Sequence, residues 1–445
     1  MALPLADELT RGRHADAVTA SGLYRSYKVE LAKIAAQTPA RIAALVCAAG
    51  PFALVAALKV QGAVPADTLF GRWVHTSGFA VPLVVLGFTG SWGFPVLAGL
   101  VAGDVFAGED RHDTWKTILT RSCSRGQIFA GKTLAAATCL VGVVVVLAAS
   151  SIAAGLSVVG AQPLVGLGGT VIAPWHAAGL VVAAWGASLA PALGFAAIAI
   201  AFSVLTRSSI AGVLGPPVVG LLMQLLALVG NGEIAHTLLL GTAFDGWHGL
   251  FAAPAFHRPL ELEIAVSVVY ALVCLLTARR AFSRRDFAGV GGPRRSRTRI
   301  AARWAVAVAA ITGAIVLAEG LGPPAITAGR LEGAIVPTFK RLVVYQQELL
   351  GRKVPAHATL KVFSSCHRTS TTSSRGAGDD WVCGLDLIAA NLRQLPLNYD
   401  VTVRPNGCYT AQGPPLTIGR LEIRTRAGKR VVNPLFEFDG CFDAS

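Results

Sequence analysis

Long apolar runs dominate the chain. Seven of them stand out: Ile42–Leu58, Phe79–Gly103, Leu134–Val158, Leu180–Leu205, Ile210–Val229, Leu260–Ala278 and Trp304–Leu317. A helix crossing a bilayer needs about 20 mainly apolar residues, so each run is expected to span a membrane. The last is the shortest. From Thr133 to Arg207 no Asp, Glu or Lys intervenes. Pro51, Pro82, Pro95, Pro191, Pro216 and Pro217 fall inside runs, where neighbouring helices can satisfy the freed carbonyls.

Outside the runs the pattern changes. Over residues 21–38, Leu23, Tyr27, Leu31 and Ile34 form one stripe at helical spacing, flanked by Arg25, Lys28 and Lys33. This reads as an amphipathic helix at the membrane surface. Residues 330–445 read as a small α+β domain: a helical stretch over Phe339–Leu350, strand character at Ala358–Phe363 and Val401–Arg404, and a hairpin of Leu421–Thr425 with Arg430–Val432 around Ala427-Gly428. Asn406-Gly407 marks a turn, and the Ser/Thr/Gly run Thr369–Gly378 is expected to be a mobile loop.

Composition agrees. Apolar residues make up 53% and charged residues 14%, against about 25% charged in soluble domains. The formal charge of +14 with a mean hydropathy of +0.57 disfavours nucleic acid as a partner. Lys and Arg accumulate on the cytoplasmic side of membranes. They cluster before the first run (Arg11, Arg13, Arg25, Lys28, Lys33, Arg41), after the second (Arg111, Lys116, Arg121, Arg125, Lys132), after the fourth (Arg207), and as nine Arg over 279–303. The alternation puts the N-terminus inside and, with seven spans, the C-terminal domain outside, in a multi-pass plasma-membrane protein. The expected organisation is a cytoplasmic segment 1–41, a six-span all-α core 42–278, an Arg-rich linker 279–303, a seventh span 304–320 and an extracytoplasmic domain 330–445. The linker is read as an orientation signal that also meets anionic lipid.

Four of the eight Cys, Cys366, Cys383, Cys408 and Cys441, fall in that last domain. An even set in a small exported domain reads as two disulfides. Three pairings are open; the shortest loops favour Cys366–Cys383 with Cys408–Cys441. No cleavable signal peptide is visible, because residues 1–22 lack an apolar core.

Several motifs carry little. Gly126-Gln-Ile-Phe-Ala-Gly131-Lys132-Thr133 satisfies G-x-x-x-x-G-K-[ST], but a phosphate loop needs a strand before it and a soluble helix after it. Here a membrane span follows, so ATP is not expected on this chain. Gly99-Leu-Val-Ala-Gly103 reads as close helix packing within the chain, and Asp104 beside it as an interfacial charge. His236, Asp245, His248, His257, Glu261 and Glu263 are irregularly spaced, and no metal site is expected of them. Neither H-E-x-x-H nor G-x-S-x-G occurs, and no catalytic residue is assigned.

Residues 107–133 carry Glu109, Thr114, Leu119, Arg125 and Gly131-Lys132 in an order that resembles the first cytoplasmic loop of type-2 ATP-binding-cassette exporter permeases. Glu30 and Lys33 match the family's interfacial helix, here with Tyr27 and Leu31, and Phe282-Ser-Arg-Arg285-Asp286 resembles its ending after the sixth span. The likeness covers about residues 20–290. Ser122-Cys123 stand where the family often has Pro-Val, and Asp113 where it has Gly, which bears on the shape of the turn. The resemblance implies a permease subunit of an ATP-driven exporter, paired with a second permease chain, identical or different. Separate ATPase chains would carry ATP and Mg. The loop would be a coupling helix in an ATPase groove, with Trp115, Ile118 and Leu119 as anchors and Glu109, Lys116 and Arg125 at the rim. The alternative is a polytopic anchor or sensor that displays the exported domain. The scarcity of ionisable residues in the spans favours an amphipathic, lipid-like substrate.

Overall fold

The computed structural model describes residues 22–61, 68–120, 123–229, 239–285, 287, 326–352, 360–369, 375–388 and 394–443. Helix α1 (residues 22–36) is the first element among the described residues. Its stripe of Tyr27, Leu31 and Ile34 packs against the protein core. A bend at Gln37 leads into α2 (Thr38–Gln61). The second span is α3 (Ala80–Phe88), a π turn over Thr89–Gly93, and α4 (Phe94–Ala102). Two short helices follow, α5 (Ala107–Arg111) and α6 (Trp115–Leu119). Next come α7 (Arg125–Val158), the hairpin of β1 (Leu164–Val165) and β2 (Val171–Ile172), α8 (Pro174–Thr206), α9 (Ser209–Val229), a 3-10 turn over Gly246–Phe251, and α10 (Arg258–Ser283).

Six of these helical segments are long and apolar enough to cross a membrane, and they overlap the first six predicted runs. The predicted seventh run, Trp304–Leu317, and most of the linker 279–303 lie outside the described residues, as does His236. α8 lies at the centre of the bundle, packed by α10, α9, α4 and α7. Gly99 and Gly103 bring α4 onto α9: a Cβ on Gly99 would stand 2.1 Å from the Val213 carbonyl oxygen, and one on Gly103 2.4 Å from the Gly212 carbonyl carbon. The small-residue pattern therefore serves packing within the chain.

α7 starts nine residues before the apolar run that announced it. Ser124 caps it: its hydroxyl accepts from the Gln127 N–H at 3.2 Å, and Gln127 Oε1 accepts from the Ser124 N–H at 2.8 Å. This reciprocal box satisfies two otherwise orphaned donors. A helix of 34 residues is about 50 Å long, well beyond the roughly 30 Å hydrocarbon core. The helix is thus longer than one crossing needs, and Lys132 lies in its first turns.

The C-terminal region is rich in strands. Helix α11 (Ala328–Leu349) lies against a five-stranded antiparallel sheet. The sheet is ordered β3 (Lys361–Arg368), β4 (Gly378–Ile388), β5 (Gln394–Val403), β6 (Cys408–Gln412) and β9 (Glu437–Cys441). Helix α12 (Pro415–Ile418) and the separate hairpin of β7 (Glu422–Arg424) with β8 (Arg430–Val432) lie between β6 and β9. The core joins Phe339 of α11 to Tyr399 and Phe438 of the sheet at 5.8 and 6.3 Å between ring centres. Cys366 pairs with Cys383 and Cys408 with Cys441. Each pair consists of direct cross-strand partners, so register selects the shortest-loop pairing. The helix starts eleven residues before Phe339, and β4 begins at Gly378, the last residue of the run read as a mobile loop, of which residues 370–374 lie outside the described residues.

Candidate coupling site

The end of the bundle that carries α5 and α6 holds a buried ion network. The ammonium of Lys132 is wholly buried. It lies 2.8 Å from Glu30 Oε1 and 2.9 Å from Glu109 Oε1, and donates to the Val105 carbonyl at 3.1 Å. Lys33 and the Thr114 hydroxyl also donate to Glu109. Two carboxylates thus face two ammonium groups, a balance that lets charge persist in the interior. Burial pushes the Glu109 pKa up. The attraction of Lys132 and hydrogen bonds from Lys33, Thr114 and Lys132 outweigh it, and the net value falls to about 2. Glu109 is therefore ionised throughout the neutral range.

Beside this quartet, Asp110 accepts from the Trp115 indole at 3.1 Å and from Arg285 Nη1 at 2.9 Å. Trp115 is buried, 5.2 Å from Phe282 and 5.3 Å from Phe287 between ring centres, and it stacks on Phe106. Arg125 donates to the carbonyls of Ser283 and Arg285 at 3.0 and 2.8 Å, and lies over the Phe287 ring. Asp104 accepts from Ser209 and pairs with Arg111 at 3.2 Å. The α5–α6 segment is thereby tied to α1, α7, α9 and the end of α10.

The sequence reading placed Trp115 among apolar anchors for a partner and Glu109 at a rim. The structure turns both inward. The outer surface of the segment consists of Arg111, His112, Asp113, Lys116, Thr117 and Thr120, with Ile118 and Leu119 half-buried. Glu30, Lys33, Glu109, Thr114 and Lys132 come together in one cluster, and Arg125 stands exposed at its edge. The stripe of α1 likewise faces the protein, and the Tyr27 hydroxyl donates to Thr138 at 3.3 Å. Sequence reasoning missed Asp110, whose indole and guanidinium contacts join the loop to α10; no local pattern marks it. The Ser124-x-x-Gln127 box was a readable signal that Lys132 belongs to the helix. Gly126–Thr133 lies within α7, which is not the geometry of a phosphate loop.

A cleft of about 530 Å³ opens between α1, α2, α4 and α9 at this end. Ile34, Leu100, Ile210 and Val213 give it apolar walls, and Lys33, Asp104 and Arg111 give it a charged edge.

The opposite end is capped by the C-terminal domain. Buried Arg72, between the first two spans, places Nη2 2.9 Å from Glu437 and 3.1 Å from Asp439. Arg341 donates to the Gly168 carbonyl at 2.7 Å, and the Cys441 N–H to the Leu167 carbonyl at 3.2 Å. Trp73 meets Tyr345 edge-on. Near this seam burial pushes the Asp245 carboxyl up to about 6, against the pull of Arg404. Glu263, at the start of α10, accepts from the Gly246 N–H at 2.6 Å and is the neighbouring carboxylate.

Among the described residues, six helical segments are long and apolar enough to cross a membrane, and a charged, multiply tied loop lies at one end of them. Residues 27–227 match the family model described as ABC-2 family transporter protein, a likeness that supports an ABC-2-type permease. The match runs from α1 into α9 and includes the ion quartet; α10 and the C-terminal domain lie beyond it. No curated protein matches the chain.

Proposed function

We propose that this chain is the permease subunit of an ATP-driven exporter, coupled to separate ATPase chains through residues 107–133. ATP and Mg act on those chains, and two permease cores, identical or different, form the pathway. The observation that carries the reading is the anchoring of α5–α6. A partner pushing on Lys116, Thr117 and Leu119 displaces a segment held by Lys132, Lys33 and Arg285, and so moves α7, α1 and α10 together. A loop whose charges served orientation alone would need no such buried ties.

The sidedness follows the positive-inside pattern, with the N-terminus and α5–α6 inside and the strand-rich domain outside. Phe287 packs beside Trp115 at one end, while the domain beginning at Ile326 sits on the other. The cleft beside α1, apolar with a charged edge, suits an amphipathic substrate. Membrane lipids surround the spans and contact the linker.

The test is affinity purification from native membranes in mild detergent, followed by mass spectrometry and an ATPase assay. A stoichiometric ATPase chain that is lost in Lys116→Glu or Leu119→Glu, with the permease still folded, supports the proposal. Reproducible absence of such a chain overturns it and leaves the anchor or sensor.

A further inference from the structure

Several buried or half-buried arginines among the described residues have counter-charges: Arg72 meets Glu437 and Asp439, Arg285 meets Asp110, and Arg368 meets Asp380. The β7–β8 hairpin contrasts with these. Residues 414–432 contain Arg420, Arg424, Arg426, Lys429 and Arg430 against one acid, Glu422. All five basic residues are exposed. Among the described residues none of their side chains forms an ion pair. Arg424 and Arg430 are direct cross-strand partners, an arrangement that is unfavourable unless something negative lies against it. The turn between them, with Gly428 at φ 76°, carries Arg426 and Lys429 beside the pair.

Apolar residues accompany these charges. Leu416 on α12 is completely exposed, and Leu421 is 46% exposed at the foot of β7. Exposed leucine next to unpaired arginine and lysine is the composition that settles between anionic headgroups and acyl chains. A soluble acidic polymer would have no use for the leucines. Position agrees. α11 lays Tyr345 on Trp73 at the connection between the first two spans, and one turn further the Leu349 carbonyl accepts from the Arg426 N–H at 3.1 Å. The hairpin is thus held just past a loop that returns into the bilayer.

We propose that the 414–432 hairpin is a docking surface for anionic phospholipid, a third attachment of the C-terminal domain besides its contacts with the bundle and its covalent tether. Each basic residue near an anionic surface is worth roughly a fivefold change in partitioning, and the effect fades beyond about 10 Å at 0.1 M salt.

The experiment is amide hydrogen exchange of the full chain in nanodiscs of phosphatidylcholine alone or of phosphatidylcholine with phosphatidylglycerol. Exchange over residues 416–430 is expected to slow by roughly tenfold in the anionic discs. Arg424→Glu with Arg430→Glu, or salt at about 0.5 M, returns it to the neutral-disc value. Leu416→Ser reduces the slowing without changing charge. Exchange across β3–β6 reports folding; if the double reversal disturbs it, Leu416→Ser and the salt series decide. Equal exchange in the two discs overturns the proposal. So does full slowing in neutral discs by soluble glycerol phosphate, which would make this a phosphate site rather than a membrane surface.

Discussion

Lys132 and Glu109 meet at 2.9 Å without solvent exposure at the ammonium. One opens the third span and the other lies in the loop before it. Their contact fixes the direction of that loop against the membrane core.

Removing one partner leaves the other buried without its counter-charge. Lys132→Met or Glu109→Gln is expected to cost about 3–5 kcal/mol. The double variant should cost less than the sum, because the second change relieves the orphan left by the first. Thermal unfolding in detergent, run as a double-mutant cycle, measures this.

The pH dependence of this end follows from Glu109. Its folded pKa, about 2, lies below the ordinary 4.5. The stabilisation is fully present above pH 4.5 and is lost as the pH falls towards 2. Unfolding between pH 7 and 5 should not change through this group, and Glu109→Gln should flatten the acid limb.

Asp245 acts with the opposite sign. Its folded pKa of about 6 exceeds the ordinary 3.8, so its contribution is fully present below pH 3.8 and is lost as pH rises through 6. Limited proteolysis of the seam between bundle and C-terminal domain should slow from pH 7 to 5. Asp245→Asn, which removes the charge at all pH values, should weaken this pH dependence.

Trp115 and Lys116 are neighbours with different expected phenotypes. Trp115→Ala empties a site among Phe106, Phe282 and Phe287, and is expected to cost about 3–5 kcal/mol of stability. Lys116→Glu changes an exposed side chain and should leave unfolding within about 0.5 kcal/mol of the original, while weakening ATPase association. Equal loss of folded protein in both variants would contradict the burial described for the loop.

Membrane-impermeant maleimide, applied from outside, should label Cys366, Cys383, Cys408 and Cys441 only after reduction. Labelling of untreated cells would contradict the disulfides or the sidedness. Loss of Cys408–Cys441, which spans 33 residues against 17, should destabilise by about 0.5 kcal/mol more on loop entropy alone.

The amino-acid sequence by itself determined the six spans. A bilayer asks only for about 20 apolar residues in a row, which is a property of local composition. It also determined the hairpin at Ala427-Gly428 and the residue set Glu30, Lys33, Glu109, Thr114 and Lys132. Tertiary structure decided which way that set faces. Lys33 and Glu109 are separated by 76 residues, and no local pattern says whether a loop charge meets a partner protein or another span. The same holds for Trp115: its spacing fits an anchor equally well turned outward or inward, and only the convergence of Phe106, Phe282 and Phe287 settles it. Asp110 with Arg285, and Arg72 with Glu437, were illegible for the same reason. Each is an ion pair between elements that become neighbours only when the helices pack, and charge pairing through space leaves no periodicity in the chain.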